Sequence, residues 1–185
     1  MAFIEVVEHH QANGRLRQIY DELLSRRGKL AEVHKVQSLN PESIVAHMEL
    51  YMTVMFGRSP ISRASREMMA VVVSAGNGCV YCQRHHCRAL LHYWKDPDRV
   101  EALRRNWSEA ALAAGEAALC HYAWDLTLNP GQAVDQRFEQ RLRDAGFQDR
   151  AILDATLVVG YFNFVNRLVM GLGVELEEDP GGYRY

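Results

Sequence analysis

Apolar residues recur along this chain at spacings of three and four, the period that lines one face of a helix. No window sustains the apolar/polar alternation of a half-buried strand. The expected fold class is all-α. A first helix spans Gly14 to Arg27, with Leu16, Ile19, Tyr20, Leu23 and Leu24 on one face and Gly28 as its stop. Asn40-Pro41 opens a second, a cap residue followed by proline at the first helical position, carrying Ile44, Met48, Tyr51, Met52 and Met55 up to Gly57. Ser62 caps a third helix through Val73, which stops at Gly76-Asn77-Gly78, and a fourth runs from Cys79 to Trp94.

Asp96-Pro97 opens a short fifth helix, Ser108 caps a sixth reaching Leu126, and Asn129-Pro130-Gly131 reads as a turn. A seventh spans Val134 to Asp144. The last runs from Asp149 to Met170 and is ended by Gly171 and Gly173. Its apolar stretch is long enough to raise the question of a membrane, but Asp154, Asn163, Asn166 and Arg167 interrupt it, so a buried helix is expected. Glu175 to Tyr185 is acidic and then glycine-rich, a tail expected to order only if it docks on a neighbour. No linker divides residues 1–185, and one domain is the expectation. A faint echo exists between the helix preceding Cys79-Val80-Tyr81-Cys82 and the helix leading into Asn163-Phe164-Val165-Asn166.

Composition narrows the function classes. Nearly half of the 185 residues are apolar, 21 Lys and Arg stand against 23 Asp and Glu, and no run of like charge occurs. Nucleic acid and anionic membrane are therefore not expected partners. Met1 to His10 carries Glu5 and Glu8 without a basic segment followed by an apolar one, which does not read as a signal peptide, so the cytoplasm is the expected compartment. There, Cys79 and Cys82 are expected to be a catalytic or metal-binding pair rather than a staple, and Cys87 and Cys120 buried apolar residues.

Each helical residue advances about 100°, so Cys79, Cys82 and His86 fall on one stripe, with Cys82 in the middle and the natural nucleophile. A helix N-terminus favours a thiolate by ~0.3–1 kcal/mol, whereas a protonated imidazole at contact distance favours it by about 4 kcal/mol before desolvation, so the His86 contribution is expected to dominate. Glu67 shares its face with Ala70, Val71 and Ser74. Buried there, it is expected to titrate nearer neutrality and to form a proton relay with His86. Zinc held by Cys79, Cys82, His86 and Glu67 is the chemical alternative, although the three motif residues share one helix where structural zinc sites usually draw on separate loops. Haem attachment is excluded because Gln83 follows the second cysteine.

Glu67, the intervening eleven residues and Cys79-Val80-Tyr81-Cys82-Gln83-Arg84-His85-His86 together resemble the signature of AhpD-like alkylhydroperoxidases in the carboxymuconolactone decarboxylase superfamily. Ser62-Arg63-Ala64-Ser65-Arg66-Glu67, the Ser74-Ala75-Gly76-Asn77-Gly78 lead-in and Phe162-Asn163-Phe164-Val165-Asn166-Arg167-Leu168 look like its peroxidase-related branch. The resemblance implies an all-helical bundle with internal pseudo-symmetry, assembled as a homo-oligomer. It implies a thiol-dependent hydroperoxide reductase without cofactor. Cys82 would attack the peroxide, Cys79 would resolve the sulfenic acid to a disulfide, Glu67 and His86 would relay protons, and a lipoyl or thioredoxin-like dithiol protein would restore the pair.

Tyr81 stands where some members carry a relay histidine; its phenol is a poor base near neutral pH, and His85 is the candidate to flank the site in compensation. Three other readings compete. These are a disulfide-exchange shuttle using the same pair, lactone decarboxylation of the kind that names the superfamily, whose active members generally lack the cysteine pair, and a zinc-binding structural protein.

Overall fold

The computed structural model describes residues 2–180 and Tyr183. Among these residues the regular elements are all helical, as the periodicity requires. They are α1 (Gly14–Arg27), α2 (Glu32–Lys35), α3 (Pro41–Tyr51), α4 (Arg63–Gly76), α5 (Val80–Trp94), α6 (Pro97–Arg105), α7 (Ala114–Leu128), α8 (Ala133–Gln136), α9 (Phe138–Asp144) and α10 (Asp149–Gly171).

The centre of the bundle is α4. Met68 to Val73 is an unbroken apolar run, and a helix that is apolar on every side must be surrounded. It packs on α5, α7 and α10, and every residue from Arg66 to Ser74 is buried. Its start is set by Ser62, whose Oγ accepts the Ser65 N–H at 3.0 Å. Its end is a tight reversal: Gly78 adopts φ 70°, a left-handed conformation open to glycine without strain, and the Cys79 N–H donates to the Ser74 carbonyl at 2.8 Å. That reversal lays α5 back along α4, so residues of the two helices face one another.

A smaller cluster joins Leu16, Ile19, Tyr20 and Leu23 of α1 to Ile44 of α3. Beyond Tyr51 the expected helix continues as a π-turn, Met52–Phe56. Such a turn leaves carbonyls without helical partners, and two arginines of α4 take them. Arg63 Nη1 donates to Met55 O at 2.8 Å, while Arg66 Nη1 donates to Val54 O and Gly57 O, both at 3.0 Å. Gly57 ends the turn where a Cβ would lie 2.3 Å from the Thr53 carbonyl oxygen.

Several boundaries differ from the sequence expectation. Ser108 does not cap the sixth long helix: it lies in a single 3-10 turn, Trp107–Glu109, capped by Asn106, and α7 starts at Ala114. The helix expected over Val134 to Asp144 is broken into α8 and α9 by Arg137, which takes φ 48°. The turn α2 carries too few residues to show a period. Through Glu177 the tail docks on its own chain, and positions 181, 182, 184 and 185 lie outside the described residues.

By length and composition α10 could cross a membrane, but half of its apolar window is buried inside the molecule. Its inward face carries Ala151, Ala155, Val158, Phe162 and Val165. Leu153, Leu157 and Phe164 lie exposed on the other side.

Candidate active site

Folding α5 against α4 brings Glu67 beside His86. The Glu67 carboxylate is buried and accepts the His86 Nδ1–H at 2.6 Å on one oxygen, while its other oxygen accepts from Arg63 Nε at 2.9 Å. Because a carboxylate only accepts, His86 carries its proton on Nδ1 and leaves Nε2 to act as base or acid. Burial alone pushes the Glu67 carboxyl up, but His86 and then Arg63 outweigh it and hold it below the usual range. The expectation that burial would lift Glu67 toward neutrality is thus corrected. The causes are His86 first and then Arg63, one helical turn before Glu67, whose guanidinium is held in place by the π-turn carbonyl of Met55. Glu67 is an orienting anion, and the imidazole it holds is the proton carrier.

The two thiols of Cys79 and Cys82 are free and buried, within hydrogen-bonding reach of each other at the start of α5. Cys79 is the N-cap residue of α5. The thiol of Cys82 donates to its sulfur, and backbone N–H groups of Cys82 and Tyr81 add to this, so the Cys79 thiol is lowered despite burial. Cys82 is raised, first by the neighbouring Cys79 sulfur and then by burial, with Asn166 donating a partly offsetting hydrogen bond.

This corrects the expected electrostatics. His86 is turned to Glu67, and among the described residues it makes no hydrogen bond to either thiol. Of the two thiols Cys79 is therefore the more readily ionised, favoured by its partner sulfur and the helix N-terminus rather than by an imidazole. The chemistry-bearing surface is nonetheless that of Cys82. A cavity of about 430 Å³ is lined by Cys82, Glu67 and His86 together with Tyr51, Tyr161 and Phe162, and Cys79 is not on its wall. The His86 ring meets Phe162 edge-on with centroids 4.5 Å apart.

Tyr81 and His85 also line the cavity, but both are tied to the tail. Glu177 accepts from the Tyr81 hydroxyl at 2.7 Å, from His85 Nε2 at 2.8 Å and from the Glu32 N–H at 2.9 Å. Burial opposes ionisation of Glu177, but these bonds, His85 foremost, hold its carboxyl down at about 2. Burial also raises the Tyr81 phenol, so it is no base. Pro180 and Tyr183 extend the tail along the cavity wall.

The two segments of the echo noted in the sequence touch. Asn77 Nδ2 donates to Asn163 Oδ1 at 3.1 Å and to Asn166 Oδ1 at 3.0 Å, and Asn166 Nδ2 donates to Ser74 Oγ at 3.2 Å. Asn166 thereby bonds both the α4 to α5 reversal and Cys82. Sequence reasoning quoted Arg63 and Asn166 without assigning them work, and it passed over Glu177, Tyr161 and His47. Arg63 was recoverable from its place one turn before an inward Glu; the others carry no local signal. Among the described residues no three His, Cys, Asp or Glu side chains converge as metal ligands. The sulfurs and the Glu67/His86 pair do not form the four-ligand cluster that a structural zinc site needs.

Comparison with known proteins gives one family match: residues 41–125 fit the carboxymuconolactone decarboxylase family. A peroxidase-related protein from Silicibacter sp. TM1040 superposes with TM-score 0.82 at 28% identity, covering 94% of this chain and 92% of that one. A second peroxidase-related protein, from Ralstonia eutropha JMP134 and described as an alkylhydroperoxidase AhpD core, gives 0.85 at 22% identity over 97% and 94%. The protein YdfG of Bacillus subtilis (strain 168) is 26% identical over 117 residues, 63% of this chain and 78% of its own.

Proposed function

The chain belongs to the carboxymuconolactone decarboxylase superfamily, in its AhpD-like, peroxidase-related branch, and from that premise we propose that it reduces organic hydroperoxides with the Cys79/Cys82 pair. The observation that carries this reading is the division between the two sulfurs. Cys82 faces an apolar cavity that it shares with the Glu67/His86 pair, while Cys79 lies behind it within hydrogen-bonding reach.

A proton passing from Cys82 to the Cys79 thiolate across their hydrogen bond exposes a Cys82 thiolate to the cavity. It attacks the terminal oxygen of the hydroperoxide, forming the S–O bond of a sulfenic acid as the O–O bond breaks and its electron pair leaves on the alkoxide. His86 in its imidazolium form, with Nδ1–H held by Glu67, gives its Nε2 proton to the alkoxide to make the alcohol, and it recovers a proton from the Cys79 thiol when that sulfur is deprotonated to attack. Cys79 then attacks the sulfenic sulfur to form the disulfide with loss of water. An external dithiol protein, lipoyl or thioredoxin-like, reduces that disulfide. Free cysteines spaced for such cycling suit a reducing compartment, the cytoplasm.

Rapid mixing of reduced protein with cumene hydroperoxide, followed by peptide mass spectrometry, tests the reading. The expected product is a Cys79 to Cys82 linkage formed within seconds at equimolar peroxide. Thiols that survive for minutes, yet exchange readily with a small disulfide, would leave only the shuttle.

A further inference from the structure

Tyr161 and His47 both lie on the cavity wall, and with Gln37 they form a buried polar chain that the proton relay does not use. Gln37 Nε2 donates to the Val33 carbonyl at 2.7 Å, which fixes its amide orientation, because a carbonyl can only accept. The same nitrogen lies 2.9 Å from His47 Nδ1 and must donate there too, so His47 carries its proton on Nε2. His47 Nε2 lies 2.7 Å from the Tyr161 hydroxyl oxygen and therefore donates to it. Each bond fixes the next, and the last leaves Tyr161 with its own hydroxyl proton uncommitted; among the described residues the phenol has no second hydrogen-bond partner.

Two observations support a working role for that proton. Burial, with help from Arg27, holds His47 down at about 4, so the imidazole stays neutral and its direction of donation does not reverse near neutral pH. Tyr161 also lies on the face of α10 that meets the reacting groups. The adjacent Phe162 touches His86, Asn166 bonds Cys82, and the Cys82 charge is felt at the Tyr161 phenol.

We propose that Tyr161 is a catalytic hydrogen-bond donor, set by the Gln37 and His47 chain to hold the leaving oxygen of the hydroperoxide as negative charge develops on it. This rests on the peroxidase reading and adds a residue to it. As Cys82 sulfur bonds the terminal oxygen and the O–O bond breaks, the leaving alkoxide receives the Tyr161 hydrogen bond. Burial raises the phenol well above its ordinary value, so Tyr161 keeps its proton and stabilises the oxyanion, while His86 delivers the proton that completes the alcohol.

The test compares two oxidants of unlike leaving group. Rapid-quench oxidation of the reduced pair is measured with tert-butyl hydroperoxide, whose alkoxide needs stabilising, and with peracetic acid, whose carboxylate does not. Tyr161→Phe keeps the ring and removes only the hydroxyl. It is expected to slow the first reaction roughly 10–100-fold and the second less than about threefold. Gln37→Leu, which frees the His47 tautomer, is expected to give a smaller loss with the same preference for the poor leaving group.

Equal slowing with both oxidants would mean a merely structural tyrosine and overturn the assignment, and so would no slowing with either. A wild-type protein inert to both would instead overturn the peroxidase reading and the Tyr161 role with it. Wild-type activity with an unaffected Tyr161→Phe variant would overturn only the latter.

Discussion

Cys79 and Cys82 differ in one respect that residue type cannot convey, namely what lies above each sulfur. Cys79 sits at the helix N-terminus and receives the backbone N–H groups of Cys82 and Tyr81, whereas Cys82 is inside the first turn with burial and a neighbouring sulfur against its ionisation. Thiolate absorbance followed through a pH titration should separate them. Cys82→Ser, which reports Cys79, is expected to titrate below Cys79→Ser, which reports Cys82. The reverse order would return the acidic thiol to the neighbourhood of His86. The one-turn spacing of the sulfurs and the inward face of Glu67 were both legible in the sequence. The orientation of His86 was not, because it depends on a hydrogen bond to Glu67 on another helix, and the π-turn that steadies the neighbouring Arg63 has no helical-period signature.

At the scale of elements, the π-turn after α3 and the tail after α10 build the site from outside the α4 to α5 pair. Glu177 clamps the tail to α2 and α5, and its carboxyl titrates at about 2 against an ordinary 4.5. A depressed carboxyl contributes stability that is complete above its unfolded value and is lost as pH falls through its folded one. The Glu177 contribution is therefore present above pH 4.5 and decays toward pH 2. Glu177→Gln should lower the unfolding free energy measured by urea titration at pH 6 by an amount on the order of 1–2 kcal/mol, and the difference from wild type should shrink as pH falls through that window. A difference that stays constant with pH would mean that the clamp is not ionic. Helix cores and glycine stops were readable from periodicity. The breaks at Arg137 and after Tyr51 were not, since the chain continues polar and apolar residues through both without a proline or glycine at the break.

The whole molecule leaves one face unexplained by its own packing. Leu153, Leu157 and Phe164 stand exposed along α10, with Gly160 between them, at spacings that keep them on one stripe. A second copy laid against this stripe would suit the homo-oligomer that the family resemblance implies. Leu157→Glu is expected to reduce the mass measured by light scattering at micromolar concentration to that of one chain, while an unaltered mass would assign the oligomer contact, or its absence, elsewhere. By itself the sequence determined the all-helical class, the central burial of α4, the reversal at Gly78 and the pairing of two sulfurs on one turn, because each follows from local spacing and backbone preference. Tertiary structure alone decided which sulfur faces the cavity, which nitrogen of His86 and of His47 carries the proton, and how Glu177 and Tyr161 come to line the same space. Those properties depend on hydrogen bonds between residues far apart in the chain, whose direction is set by a partner's capacity to give or accept and leaves no trace in the period of either segment.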